Sequence, residues 1–165
     1  LFFLLFSLGC STPKIATTHF LQHLQKGQFQ EAAEFTVSGD LQAHPIRRMM
    51  SEDAVALMLQ QMDYQIINSQ SIENEASILV RVTNFPIQEI FAIAAREIMG
   101  KGIYNLSKKK KSLHYDQEIK RNLQAKITSP DITRQTTTIT IKLEKQDGKW
   151  KIKDNKNVMH QLTGL

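Results

Sequence analysis

The stretch Ile132–Lys153, ITRQTTTITIKLEKQDGKWKIK, decides the fold. Its first fourteen residues, Ile132–Lys145, are rich in threonine and isoleucine, which suit a pleated, half-buried surface. Ile139, Ile141 and Leu143 alternate with Arg134, Thr136, Thr138, Thr140 and Lys142, so one face is apolar and the other polar. Asp147-Gly148 is a hairpin turn signal, and Lys149–Lys153 returns with Trp150 and Ile152 turned inward. An antiparallel sheet with one buried face follows from this stretch alone.

Working outward, a second hairpin is expected from Tyr64–Ile72 and Ala76–Thr83 around Glu73-Asn74-Glu75. Ile78, Val80 and Val82 share one face, and Leu79 breaks the alternation, which implies partial cover on the other side. Ahead of these strands the apolar period is helical. Ser11-Thr12-Pro13 is a hydroxyl cap followed by proline, and Ala16, Phe20 and Leu24, with Ile15 and Leu21 beside them, form one apolar face ending at Gly27. A short helix is expected over Phe29–Phe35. A third begins after Ser51, with Ala54, Val55, Met58, Leu59 and Met62 as its stripe. Ser38–Met50 reads as a loop. Pro86 opens a further helix through Ile87, Ile90, Phe91, Ala94 and Ile98, closed by Gly100 and Gly102. A short amphipathic tail, Val158–Leu165, closes the chain. The fold class is therefore α+β, with N-terminal helices packed on a four-stranded antiparallel sheet.

The chain has 165 residues, 41% hydrophobic and 22% charged, a composition suited to one globular domain with a real core. Its formal charge is +5, but residues 101–126 alone carry a net +6, so the basic balance is local. That distribution does not describe a nucleic-acid-binding surface. The lysine run Lys108, Lys109, Lys110 and Lys111, with Lys120 and Arg121, is a candidate interaction patch for anionic lipid or an acidic partner protein. Charge runs are more often solvated loops.

The N-terminal stretch LFFLLFSLGC-ST sets an address. Residues 1–9 are apolar or small, and Cys10 is the one cysteine of the chain. The pattern resembles the end of a bacterial lipoprotein signal peptide, in which a small residue precedes an acylated cysteine. The resemblance implies removal of 1–9, lipid on Cys10, and a single domain over 10–165 with a basic insertion at about 103–126. The basic n-region is missing, so the sequence as given is expected to begin within the signal. Leu1–Phe6 is too short to span a bilayer, which needs about 20 apolar residues. The address implied is the cell envelope, on the outer membrane facing the periplasm if the cell is Gram-negative, since Ser11 follows the cysteine.

The element order, together with "LQKGQFQEAAEF" early and "DGKWKI" late, resembles the nuclear-transport-factor-two-like (cystatin-like) superfamily in its small bacterial lipoprotein branch. That resemblance implies a curved sheet wrapped around helices into a cone. Some members are enzymes, some bind small molecules and some dimerise through the sheet, so a homodimer is compatible with it and the fold does not carry function. A ligand pocket is expected among Tyr64, Ile78, Val80, Val82, Ile139, Ile141 and Leu143.

Chemistry-bearing clusters are sparse. His19 and His23 lie four apart on one helical face and can share a metal, but no third ligand sits at a suitable local spacing, and polar flanks of a core stripe are the plainer reading. Asp63-Tyr64 offers an acid and a phenol, but adjacent strand residues point to opposite faces. His44 and His114 are the remaining suppliers of an acid–base pair. No catalytic motif, metal-ligand set or cofactor motif stands out. The expected role is a lipid-anchored binding or assembly module without a cofactor, and the alternative is a small-molecule enzyme of the same fold with an acid–base pocket.

Overall fold

The computed structural model describes residues 12–41, 52–86, 89, 90, 92, 93, 96, 121, 122, 125, 126 and 132–163. Among the described residues, the elements with defined bounds occur in the order α1 (Pro13–Gln25), α2 (Phe29–Ala33), α3 (Glu52–Gln60), β1 (Asp63–Ile72), β2 (Glu75–Asn84), β3 (Gln135–Gln146), β4 (Lys149–Ile152) and α4 (Asn155–Thr163). The strands form one open antiparallel sheet in the order β1-β2-β3-β4. The architecture is α+β.

Register explains the apolar alternation. Ile78 lies opposite Ile141, Val80 opposite Ile139 and Ala76 opposite Leu143, so their side chains form one continuous buried surface. On β1, Tyr64 and Ile66 extend this surface before a bulge between Ile66 and Asn68 re-aims the strand. Past the bulge β1 is exposed, and Ile67 stands 43% open to solvent. Bulges of this kind sharpen local twist and spoil an edge for pairing.

The helices cover that buried surface. Thr12 caps α1, its hydroxyl accepting from Ile15 N at 3.2 Å, with Pro13 in the first turn. Ala16, Thr17, Phe20, Leu21 and Leu24 are buried, whereas Ile15 is 45% exposed. The periodicity placed Ile15 beside the stripe; the observed contact face is rotated toward Thr17. Val55, Met58, Leu59 and Met62 bring α3 onto the same core. Gly27 permits that contact twice over. Its φ is +70°, and a Cβ there would lie 2.9 Å from Ala56 Cβ.

Several boundaries differ from expectation. The first hairpin turns on two residues, Glu73-Asn74, with Glu73 at φ +52°, and Glu75 already pairs with Ile72. The long strand begins at Gln135, not Ile132, because its partner β2 ends at Asn84, opposite Gln135. The second helix ends at Ala33. The last helix begins earlier than its apolar pattern, at Asn155, because Asp154 caps it by accepting from Asn157 N at 3.1 Å. Asp147 and Gly148 both take positive φ, as a tight right-twisting hairpin requires. The outer side of β4 is tied by Ile152 N donating to Phe35 O at 2.8 Å and Val37 N donating to Ile152 O at 2.9 Å.

Cys10 with residues 1–9, Ser51, His44 and His114 lie outside the described residues. So does the expected basic patch at Lys108, Lys109, Lys110, Lys111 and Lys120, of which Arg121 alone is described, helical and exposed. Of the helix expected after Pro86, Glu89, Ile90, Ala92, Ile93 and Arg96 are helical, and Ile90 is fully buried. Among the described residues no helix is long and apolar enough to cross a membrane.

Candidate binding cavity

Among the described residues, the buried face of the sheet is not covered to its end. Where β2 finishes and β3 begins, an open cavity of about 740 Å3 lies between the strands, the turn at Phe85-Pro86 and α4. Val82, Phe85, Pro86 and Leu162 give it an apolar wall. Asn84, Gln135, Thr136 and Gln161 contribute amide and hydroxyl groups, and Glu89 is the titratable group of the described lining.

Each wall is held by specific contacts. Asn84, buried at the end of β2, accepts from Phe85 N through Oδ1 at 2.8 Å and donates through Nδ2 to Leu162 O at 3.3 Å. One amide thereby fixes both the turn and the C-terminal helix. Thr163 adds a bond from its hydroxyl to Met159 O at 2.7 Å. Gln161 donates through Nε2 to Asn157 Oδ1 at 3.3 Å, while its Oε1 is buried with no partner among the described residues. An unpaired buried acceptor costs about 1–3 kcal/mol unless a donor arrives.

Arg134 organises the rim. Its guanidinium donates to Asp63 Oδ2 at 2.8 Å, to Thr83 O at 3.1 Å and to Gln61 O, and its carbon lies 5.6 Å from the centroid of the Phe85 ring. Bidentate planar donors that also stack on a ring are a guanidinium property that lysine lacks. The alternation of β3 assigned Arg134 to the exposed strand face. Its partners all lie far away in the chain, Gln61 by 73 residues, so no local signal revealed this role.

The expected pocket residues separate into two groups. Val82 lines the cavity, and Ile139 and Leu143 border two smaller clefts of about 380 and 350 Å3, although all three are buried in the core. Ile78, Val80 and Ile141 are fully buried and line none of these spaces, because the apolar side chains of the helices pack on them. Tyr64 is the neighbour of Val82 in the ladder, yet it turns to α1 and not to the cavity. Its hydroxyl donates to Thr18 O at 3.5 Å, and burial pushes its pKa above the ordinary phenol value, partly offset by a hydrogen bond with Gln22.

Asp63 and Tyr64 diverge, the first to Arg134 and the second to α1. His19 and His23 both pack on Phe35, with centroid distances of 5.7 Å, edge-on for His19 and stacked for His23. His23 Nδ1 donates to Gln28 Oε1 at 2.9 Å. Among the described residues no three side chains of metal-ligating type gather.

No protein-family model matches the chain, and no curated protein matches it. Among solved structures it superposes on a SEC-C motif containing protein from Rhodopseudomonas palustris with a TM-score of 0.44 at 9% identity, covering 87% of this chain and 77% of that one. It also superposes on a protein from Xanthomonas campestris described as a calcium/calmodulin dependent protein kinase II association domain, with a TM-score of 0.36 at 14% identity, covering 82% and 76%. At such low TM-scores neither likeness carries an argument about family, partner or activity.

Proposed function

We infer that this chain is a lipid-anchored protein of the cell envelope whose α+β domain binds a small molecule without transforming it. The observation that carries the binding reading is the cavity beside α4. Its described lining offers many hydrogen-bonding groups and an apolar wall, but within that lining Glu89 has no second titratable group beside it with which to move a proton. The unpaired Oε1 of Gln161 favours a ligand carrying hydroxyl or amide donors. The anchor rests on the apolar run into Cys10, and the resemblance to nuclear-transport-factor-two-like lipoproteins supports the same address.

Two measurements test this. Intact mass of membrane-extracted protein is expected to show cleavage before Cys10 plus acyl chains, both lost in Cys10→Ala. An uncleaved or unacylated product overturns the anchor. For the cavity, the probe is anilinonaphthalene sulfonate. Saturable binding is expected in the parent and loss of it in Ala92→Trp, where the indole fills the space beside an exposed lining residue. Equal binding by both proteins overturns the cavity as the site.

A further inference from the structure

The two halves of β3 differ in their second neighbour. Leu143–Gln146 pairs with β4, whereas Gln135–Ile141 pairs with β2 alone. Lys153 N donates to Lys142 O at 2.9 Å, so the backbone of Lys142 faces away from β2. Lys145 N donates in the other direction, to Asn74 O at 2.8 Å. Antiparallel strands alternate these directions residue by residue. The N–H and C=O groups of Thr136, Thr138 and Thr140 therefore point out of the sheet edge, and among the described residues no backbone hydrogen bond reaches them.

The other edges of this sheet are protected. A bulge interrupts β1, and the backbone at Phe35 and Val37 ties off β4. Gln135–Ile141, QTTTITI, has no charge, proline, glycine or bulge, the devices that blunt an edge against pairing. It is also β-branched at six of seven positions. A cleft of about 380 Å3 runs along it, bounded on the far side by His160 and Gln161 of α4.

We propose that β3 pairs antiparallel with β3 of a second copy of this chain, across a two-fold axis through Thr138. The backbone directions allow only outward-facing residues to pair with one another, and centring on Thr138 uses the whole neutral stretch. Thr136 meets the partner's Thr140 and Thr138 meets itself, each pair exchanging two bonds, about six in all. Thr137 meets the partner's Ile139. Thr137 points to the core side yet is exposed, and this pairing covers it. Threonine–threonine and threonine–aliphatic pairs are favourable across a ladder. Arg134 and Lys142 stand just outside the stretch and would face each other one step further on, so like charge limits the pairing to these seven residues. The edge gives an unrelated peptide no charged anchor, whereas a second copy offers the same neutral row. The pairing is independent of the lipid anchor, and it shares Gln135, Thr136 and Thr137 with the lining of the cavity.

Sedimentation equilibrium of the full chain carrying Cys10→Ala, from about 10 µM to about 1 mM, tests the proposal. A reversible dimer is expected. Adding Thr136→Lys with Thr140→Lys places like charges opposite each other and weakens it about tenfold or more, whereas Thr136→Glu with Thr140→Lys places opposite charges together and retains it. Both pairs change the same exposed positions, and their melting curves show whether each variant folds. Should either fail to fold, Thr138→Cys decides, since its thiol sits on the two-fold axis and is expected to cross-link under mild oxidation. A monomer throughout, a dimer unmoved by the double lysine variant, or folded variants that lose the dimer equally would each overturn the pairing.

Discussion

Among the described residues, the same sheet face is filled at one end and left open at the other. At the filled end, Phe20, Leu21 and Leu24 of α1 and Met58 and Leu59 of α3 are all fully buried in one core with β2 and β4, and the polar groups present are few. At the open end, the short α4 meets β3 and the end of β2, and amides replace aliphatic side chains along the wall. Close packing stabilises the first region. The second is held by Val158, Met159 and Leu162 of α4 together with a handful of hydrogen bonds, and keeps a space that a ligand can use.

The largest effect expected from breaking this contrast is at the filled end. Phe20→Ala removes a fully buried ring from the shared core, and chemical denaturation should show a loss of about 3–5 kcal/mol. At the open end, single substitutions should cost less and differ in sign. Asn84→Ala leaves Phe85 N and Leu162 O unpaired and should cost about 1–3 kcal/mol. Gln161→Leu removes a buried acceptor that has no partner among the described residues and should fall within about 1 kcal/mol of the parent, on the stabilising side. If both open-end variants lose as much as Phe20→Ala, the two ends pack alike and the comparison fails.

The smallest expected effect is a pH slope. Burial raises the pKa of Tyr64 above its ordinary value of 10.0, so the folded protein holds the phenol proton more tightly than the unfolded chain. Stability is unaffected well below that value and declines as pH rises through it. Thermal melts at alkaline pH should show this decline in the parent and a shallower one in Tyr64→Phe. At the opposite end of β2, Glu75 and Lys153 pair at 2.9 Å on the surface, which lowers the carboxyl and raises the amine. Their contribution is present between the two ordinary values and is lost as pH falls through the depressed carboxyl or rises through the raised amine. Exposure to solvent keeps it slight.

Much of the fold was legible in the chain because its signals are local. The alternation of Ile78, Val80 and Val82 against Ile139, Ile141 and Leu143 predicted the buried face, and Asp147-Gly148 predicted the second hairpin. Gly27 was legible as a helix end, although the reason it tolerates no side chain, Ala56 pressed against it, was not. The candidate site was legible only in part. Val82 was anticipated as a lining residue, but Asn84, Phe85 and Gln161 carry no pattern that distinguishes them from turn and surface residues elsewhere.

The sequence by itself determined which residues turn inward, because periods of 2 and 3.6 are written in the spacing of apolar side chains. It also set the end of α1 and the second hairpin, since Gly27, Asp147 and Gly148 are residue types that take positive φ readily. The tertiary structure alone decided where that inward face is covered and where it is not. Cover depends on the lengths of α4 and β4 and on where they dock, which no spacing encodes. Contacts distant in the chain made Arg134, exposed as its alternation implied, a clamp on Asp63 and Phe85. Docking also left the neutral threonine edge of β3 without a neighbouring strand among the described residues, because β4 is only four residues long.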